Sequence, residues 1–284
     1  MDKRIIDLYD EYTHKPLSRQ VFMKRLAVLA GSTAAATALL PLLENNYAIA
    51  QTSADDDNLI TERVTWQAGE ITMKGYLARP AKAGKFPAVL VIHENRGLNQ
   101  HIEDVTRRAA LAGFIALAPD ALSPLGGTPA NEDEARGMFG KLDAVQNIAN
   151  FAAGINWLQQ HPSSNGKVGC VGFCWGGAMA NQLAVHSSAL KAAVAFYGRQ
   201  VAAADVPRIQ AALQLHYAEN DTRINEGIPA FETALKEAGK TYELYMYKGV
   251  DHAFHNDTSA ARYNEAAAKL AWGRTIAFLQ KHLE

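Results

Sequence analysis

The feature that most restricts the fold of this 284-residue chain is a repeated alternation of short, largely apolar runs with longer amphipathic ones, from about residue 62 to the end. Pro87-Ala88-Val89-Leu90-Val91-Ile92 contains no polar side chain, the pattern of a strand covered on both faces. Similar runs recur at Phe114 to Leu117, Val168 to Gly172, Ala192 to Phe196, Ala211 to Leu215 and Tyr242 to Tyr247. Val64 to Trp66 and Ile71 to Ala78, joined by Ala68-Gly69-Glu70, read as an antiparallel opening pair. Helical periodicity falls near 102–112, 142–160, 176–187, 226–239 and 259–282. The alternation predicts one α/β domain, a mostly parallel sheet of about eight strands with helices on both faces. Functional groups are then expected on loops at the carboxyl ends of strands.

Composition narrows the classes further. With 48% hydrophobic and 20% charged residues the chain has the apolar content of a packed domain. A formal charge of -1, from 28 Lys+Arg against 29 Asp+Glu, offers no basic field for phosphate backbones, so nucleic acid is excluded as a partner class. The two cysteines, Cys170 and Cys174, supply neither a disulfide framework nor a four-thiolate zinc site.

Residues 1–50 read as an export signal, leaving 51–284 as the working domain. The stretch from Leu26 to Leu43 carries no charge, follows Lys24-Arg25, and leads to Ala48-Ile49-Ala50, a small-x-small cleavage pattern. Ser18-Arg19-Gln20-Val21-Phe22-Met23-Lys24 resembles a twin-arginine signal, with Gln20 where the second arginine would stand. The expectation is a periplasmic protein without a stable membrane partner after cleavage; the alternatives are a cytoplasmic or a membrane-anchored chain.

The chemistry is expected after the strands. Val168 to Phe173 runs into Gly172-Phe173-Cys174-Trp175-Gly176 and then a helix, the form of the nucleophile elbow usually written with serine. So sharp a turn puts the nucleophile in strained backbone angles and leaves no room for side chains two residues to either side, hence Gly172 and Gly176. The following helix dipole favours a thiolate at Cys174, whereas Cys170, inside the strand, reads as core. An elbow calls for an acid and then a histidine after later strands. Asp221, beyond the strand-like Leu213 to Tyr217, is the acid, with Glu219 in reserve; His252, in the loop after Tyr242 to Tyr247, is the base. Backbone N–H groups of Trp175 and Asn95 are placed to form an oxyanion hole. His252 and His255 at i,i+3 are too few ligands for zinc, and neither metal nor cofactor is expected. Glu94, directly after the Pro87–Ile92 strand, also falls at the site.

These motifs resemble the dienelactone hydrolases of the α/β-hydrolase fold over residues 60 to 284. The resemblance rests on Gly172-Phe173-Cys174-Trp175-Gly176-Gly177, His93-Glu94-Asn95-Arg96-Gly97-Leu98, Ala118-Pro119-Asp120, Asp221 and Gly249-Val250-Asp251-His252-Ala253-Phe254. It implies a Cys174–His252–Asp221 triad that cleaves small esters or lactones through a thioester, with Glu94 contacting the resting thiol. It also implies a carboxylate-binding arginine four residues after the histidine, where this chain has Asn256. Arg96 and Arg136 are candidate substitutes, and Tyr197 a pocket residue. A thioesterase or amide-directed thiol hydrolase, and a non-catalytic binding module on the same fold, are the alternatives.

Overall fold

The computed structural model describes residues 1–47 and 51–284, so the Ala48-Ile49-Ala50 cleavage pattern lies outside the described residues. Eight strands form one sheet: β1 (Leu59–Ala68), β2 (Ile71–Pro80), β3 (Phe86–Ile92), β4 (Ile115–Pro119), β5 (Ser164–Phe173), β6 (Leu190–Phe196), β7 (Ala212–Ala218) and β8 (Tyr242–Tyr247). Their order is β1-β2-β4-β3-β5-β6-β7-β8. β2 pairs antiparallel with both β1 and β4, and the pairings from β4 to β8 are parallel.

Side chains sort across this sheet with the period of two that a pleated strand imposes. Along β3, Ala88, Leu90 and Ile92 enter one core while Val89 and Val91 enter the other. Helices α6 (Ala144–Gln160), α7 (Trp175–His186) and α9 (Ile228–Glu237) cover the first face, burying Phe151, Leu183 and Phe231. The single turn α8 (Thr222–Asn225) follows β7 and adds Ile224 to the same core. Helices α4 (Gln100–Leu111) and α10 (Glu265–Leu283) cover the second face with Ile102, Val105, Ala271 and Phe278. Full cover on both faces is why the central strands read as unbroken apolar runs.

Three helices precede the sheet: α1 (Lys3–His14), α2 (Arg19–Ala30) and α3 (Thr33–Leu43). Asp2, Ser18 and Ser32 cap their N-termini by accepting from backbone N–H groups. Gly31, at φ 85°, breaks the uncharged stretch in two, and α2 and α3 meet at a bend of 109°. Among the described residues no single helix is long and apolar enough to cross a membrane. Ile5, Leu8, Tyr9 and Tyr12 of α1 pack with Phe22 and Leu26 of α2 and Leu43 of α3 into a small core of their own. This unit rests against the loops that leave the carboxyl ends of the strands, touching Asn95 after β3 and Cys174 after β5. Helix α5 (Glu132–Phe139), absent from the sequence expectation, is capped by Asn131 and abuts α1.

Candidate active site

The elbow between β5 and α7 forms as its glycines require. Cys174 sits at φ 56°, ψ -111°, a conformation costly for a residue with a side chain. A Cβ on Gly172 would lie 1.9 Å from Gly176 O, and one on Gly176 would lie 2.3 Å from Ile92 O. Only hydrogen fits at either position. Cys174 N–H donates to Phe196 O at 3.0 Å, which locks the turn to β6. Trp175 begins α7, so its N–H is one of the helix-start donors without an intrahelical acceptor.

Asp221 and His252 arrive from the ends of β7 and β8. Asn220 N–H donates to Val250 O at 3.1 Å, holding the two outgoing loops together. His252 Nδ1 lies 2.5 Å from Asp221 Oδ2, and both side chains are buried. Burial pulls the imidazole pKa down, but the negative charges of Asp221, Cys174 and Asp10 outweigh it and raise it to about 9. Glu219, the reserve acid, accepts from Gly249 N–H at 2.8 Å and takes no part in this pair. His255 stacks on Phe173 with ring centroids 4.9 Å apart and does not join His252 in a ligand cluster.

Around the sulfur the arrangement differs from expectation. Cys174 Sγ lies 3.1 Å from Nε2 of His14, the last residue of α1. The His14 ring packs edge-on against His252, centroids 4.7 Å apart. A ring nitrogen of His252 is within 4.8 Å of the sulfur, and its Nε2 has no hydrogen-bond partner. Glu94, expected at the thiol, instead accepts from Asn256 Nδ2 at 2.9 Å through Oε2, while its Oε1 has no partner. Asn256 thus supports Glu94. His93 stiffens the same loop: its Nε2 accepts from Ala121 N–H at 3.1 Å and its ring stacks on Trp175. Burial lowers its pKa, which keeps it neutral.

The pocket above these groups measures about 650 Å³, with Cys174, His252, Trp175, Tyr197 and Arg136 in its lining. Residues 13–17 line it too, so the chain end that reads as a leader forms one wall. Asn95 Nδ2 donates to Thr13 O at 2.7 Å, Arg136 Nη1 donates to Tyr12 O, and Arg136 covers the Tyr12 ring at 4.1 Å. Arg96 is not in that lining but borders a smaller cavity with Glu94, Cys174 and His252; it donates to Glu132 O at 3.2 Å and stands 3.5 Å from Asp133 Oδ1. His14 escapes the sequence reading because the uncharged centre of residues 1–50 dominates it. The signal that could reveal His14 is α1 itself, whose apolar Ile5, Leu8, Tyr9 and Tyr12 recur at the spacing of one buried helix face.

Fold and site together define a hydrolase of the α/β-hydrolase class. The dienelactone hydrolase family model matches residues 73–283, and the chain belongs to that family. It is 33% identical over 222 residues to the Bradyrhizobium sp. "Probable 2-oxo-3-(5-oxofuran-2-ylidene)propanoate lactonase", covering 73% of this chain and 89% of that one. It is 30% identical over 275 residues to a Methylorubrum extorquens "Putative carboxymethylenebutenolidase", covering 92% of this chain and 94% of that one. Among solved structures, a Klebsiella pneumoniae "Putative Dienelactone Hydrolase" superposes with a TM-score of 0.72 at 29% identity, over 78% of this chain and 99% of that one.

Proposed function

We propose that the protein hydrolyses small carboxylic esters or lactones through a covalent thioester on Cys174. The observation that carries this reading is the joint placement of Cys174 on a strained elbow and of an Asp221-anchored His252 within 4.8 Å of its sulfur. The thiolate attacks the carbonyl carbon, a C–S bond forms, and negative charge moves to the carbonyl oxygen. Backbone N–H groups of Trp175 and Asn95 receive that charge, each worth about 3 kcal/mol of barrier. Collapse breaks the C–O bond, and His252 gives its proton to the leaving oxygen. His252 then takes a proton from water, the resulting hydroxide attacks the thioester, and breakage of the C–S bond frees the acid and restores the thiolate. Asp221 holds the imidazole in the required tautomer throughout.

A pocket of about 650 Å³ suits a compact acyl group, and Tyr197 and Trp175 give it aromatic walls. The test is pre-steady-state hydrolysis of p-nitrophenyl acetate and a panel of lactones. An initial burst that disappears in Cys174→Ala supports the reading; undiminished turnover in that variant overturns it.

Export to the periplasm is part of the proposal, supported by the resemblance of residues 18–24 to a twin-arginine signal. That route carries folded proteins, and a folded α1 already sits on the site. Fractionation tests export, and the mass of the exported chain tests cleavage near residue 50. A chain cleaved there lacks His14 and has a wider pocket.

A further inference from the structure

We propose that His14, Cys174 and His252 form a binding site for zinc in the uncleaved chain, and that the metal clamps the nucleophile while fastening α1 over it. One ring nitrogen each of His14 and His252 and the Cys174 Sγ lie within 4.8 Å of one another, and His14 Nε2 stands 3.1 Å from the sulfur. Tetrahedral zinc takes Zn–N bonds of about 2.0 Å and a Zn–S bond of about 2.3 Å, which separates neighbouring donors by roughly 3.3 to 3.5 Å. Side-chain adjustments of about an ångström therefore close the site.

Two further observations point to a ligand there. His252 Nε2 is an orphan: the residue is 4% exposed, its other nitrogen is taken by Asp221, and Nε2 has no partner. In addition, each imidazole has an acceptor on the nitrogen turned away from the gap, the Asp221 carboxylate for His252 and the Asp10 carbonyl, with its carboxylate nearby, for His14. His252 Nδ1 is 2.5 Å from Asp221 Oδ2, and His14 Nδ1 is 3.1 Å from Asp10 Oδ1 and 2.9 Å from Asp10 O. Carboxylate or carbonyl acceptors in this place fix the tautomer and ring angle that a metal ligand needs.

Charge is consistent with a dication. Bound as thiolate and two neutral imidazoles, the ligands supply one negative charge, and Asp10 and Asp221 supply two more behind them. The thiol proton leaves to solvent as the Zn–S bond forms. All three ligands line the 650 Å³ pocket, so the fourth position opens toward water or a small anion. A bound metal occupies both the sulfur and the base nitrogen, so hydrolysis stops until the metal or α1 leaves.

The ligands are those of the proposed hydrolase site, but the test reads binding and not turnover, so the two readings fail separately. Full-length protein is stripped of metal and titrated with Co(II). The expected result is one equivalent bound, with the visible bands of tetrahedral cobalt and a near-ultraviolet thiolate-to-cobalt band, displaced by one equivalent of zinc. Cys174→Ser removes the near-ultraviolet band. His14→Ala weakens binding at least tenfold and Asp10→Asn by about tenfold, whereas replacement of the exposed His186 by Gln changes nothing. Near-ultraviolet circular dichroism confirms that each variant is folded. Zinc also slows iodoacetamide labelling of Cys174 in the wild type but not in His14→Ala. Absence of a thiolate-to-cobalt band in the wild type, or equal affinity in folded His14→Ala, overturns the site. Metal binding by a protein whose metal-free form turns over no ester would refute only the hydrolytic reading.

Discussion

Asn256 donates its side-chain amide to Glu94 Oε2 across 2.9 Å, joining the loop after β8 to the loop after β3, 162 positions apart in sequence. Both residues are buried, and Asn256 Oδ1 in turn accepts from Thr258 N–H and O–H, at 3.1 and 2.6 Å. Asn256→Ala strips the buried carboxylate of this donor. Destabilisation of about 1 to 3 kcal/mol is expected, measured by urea unfolding at neutral pH. An unchanged midpoint would show that water satisfies Glu94 equally well.

Gly176→Ala tests the elbow by sterics alone. The added methyl would stand 2.3 Å from Ile92 O and 2.6 Å from His93 O, backbone atoms where the neighbouring central strand ends. Either the protein fails to fold or it loses about 4 kcal/mol or more, the range of severe core disruption. Gly137→Ala is the control: its added methyl meets no atom within 4 Å, and the substitution is expected to be tolerated.

Thiol chemistry separates the two cysteines. Cys170 is fully enclosed within β5, and burial pushes its thiol well above the usual range. Cys174 lines the open pocket. Iodoacetamide followed by peptide mass spectrometry should therefore label Cys174 first. Preferential modification of Cys170 in the native protein would contradict the elbow assignment.

His216 makes the fold sensitive to acid. It is buried on β7 between Phe196 and Tyr245, and its pKa is lowered from 6.5 to about 3, mainly by burial and further by the Arg274 charge. The unfolded chain binds this proton before the native one does, so stability rises with pH through the window. The contribution of neutral His216 is complete above pH 6.5 and is lost progressively as pH falls toward 3. Denaturant midpoints across that window should slope less steeply in His216→Gln than in the wild type.

Much of the architecture is legible in the amino-acid order. Each of the eight strand runs appears, shifted at its ends where polar residues such as Ser164 to Lys167 extend a ladder beyond its apolar centre. The elbow is readable because its requirements are local: a side-chain-bearing residue in a strained turn, with glycines at fixed offsets. Asp221 and His252 follow from strand order, since parallel strands bring their exits to one side. Helix α5 escapes such a reading because its polar sequence hides a single buried residue, Ala135, behind an acidic first turn.

Contiguous residues thus determined the strands, the elbow and the chain order of Cys174, Asp221 and His252, because periodicity and steric exclusion act over a few positions. Tertiary structure alone decided that His14 reaches Cys174 across 160 positions, that Glu94 faces Asn256, and that Arg96 turns to Glu132. Those partnerships depend on which apolar faces cover one another, and burial then forces each enclosed polar group to take whatever donor or acceptor the packing has brought within reach.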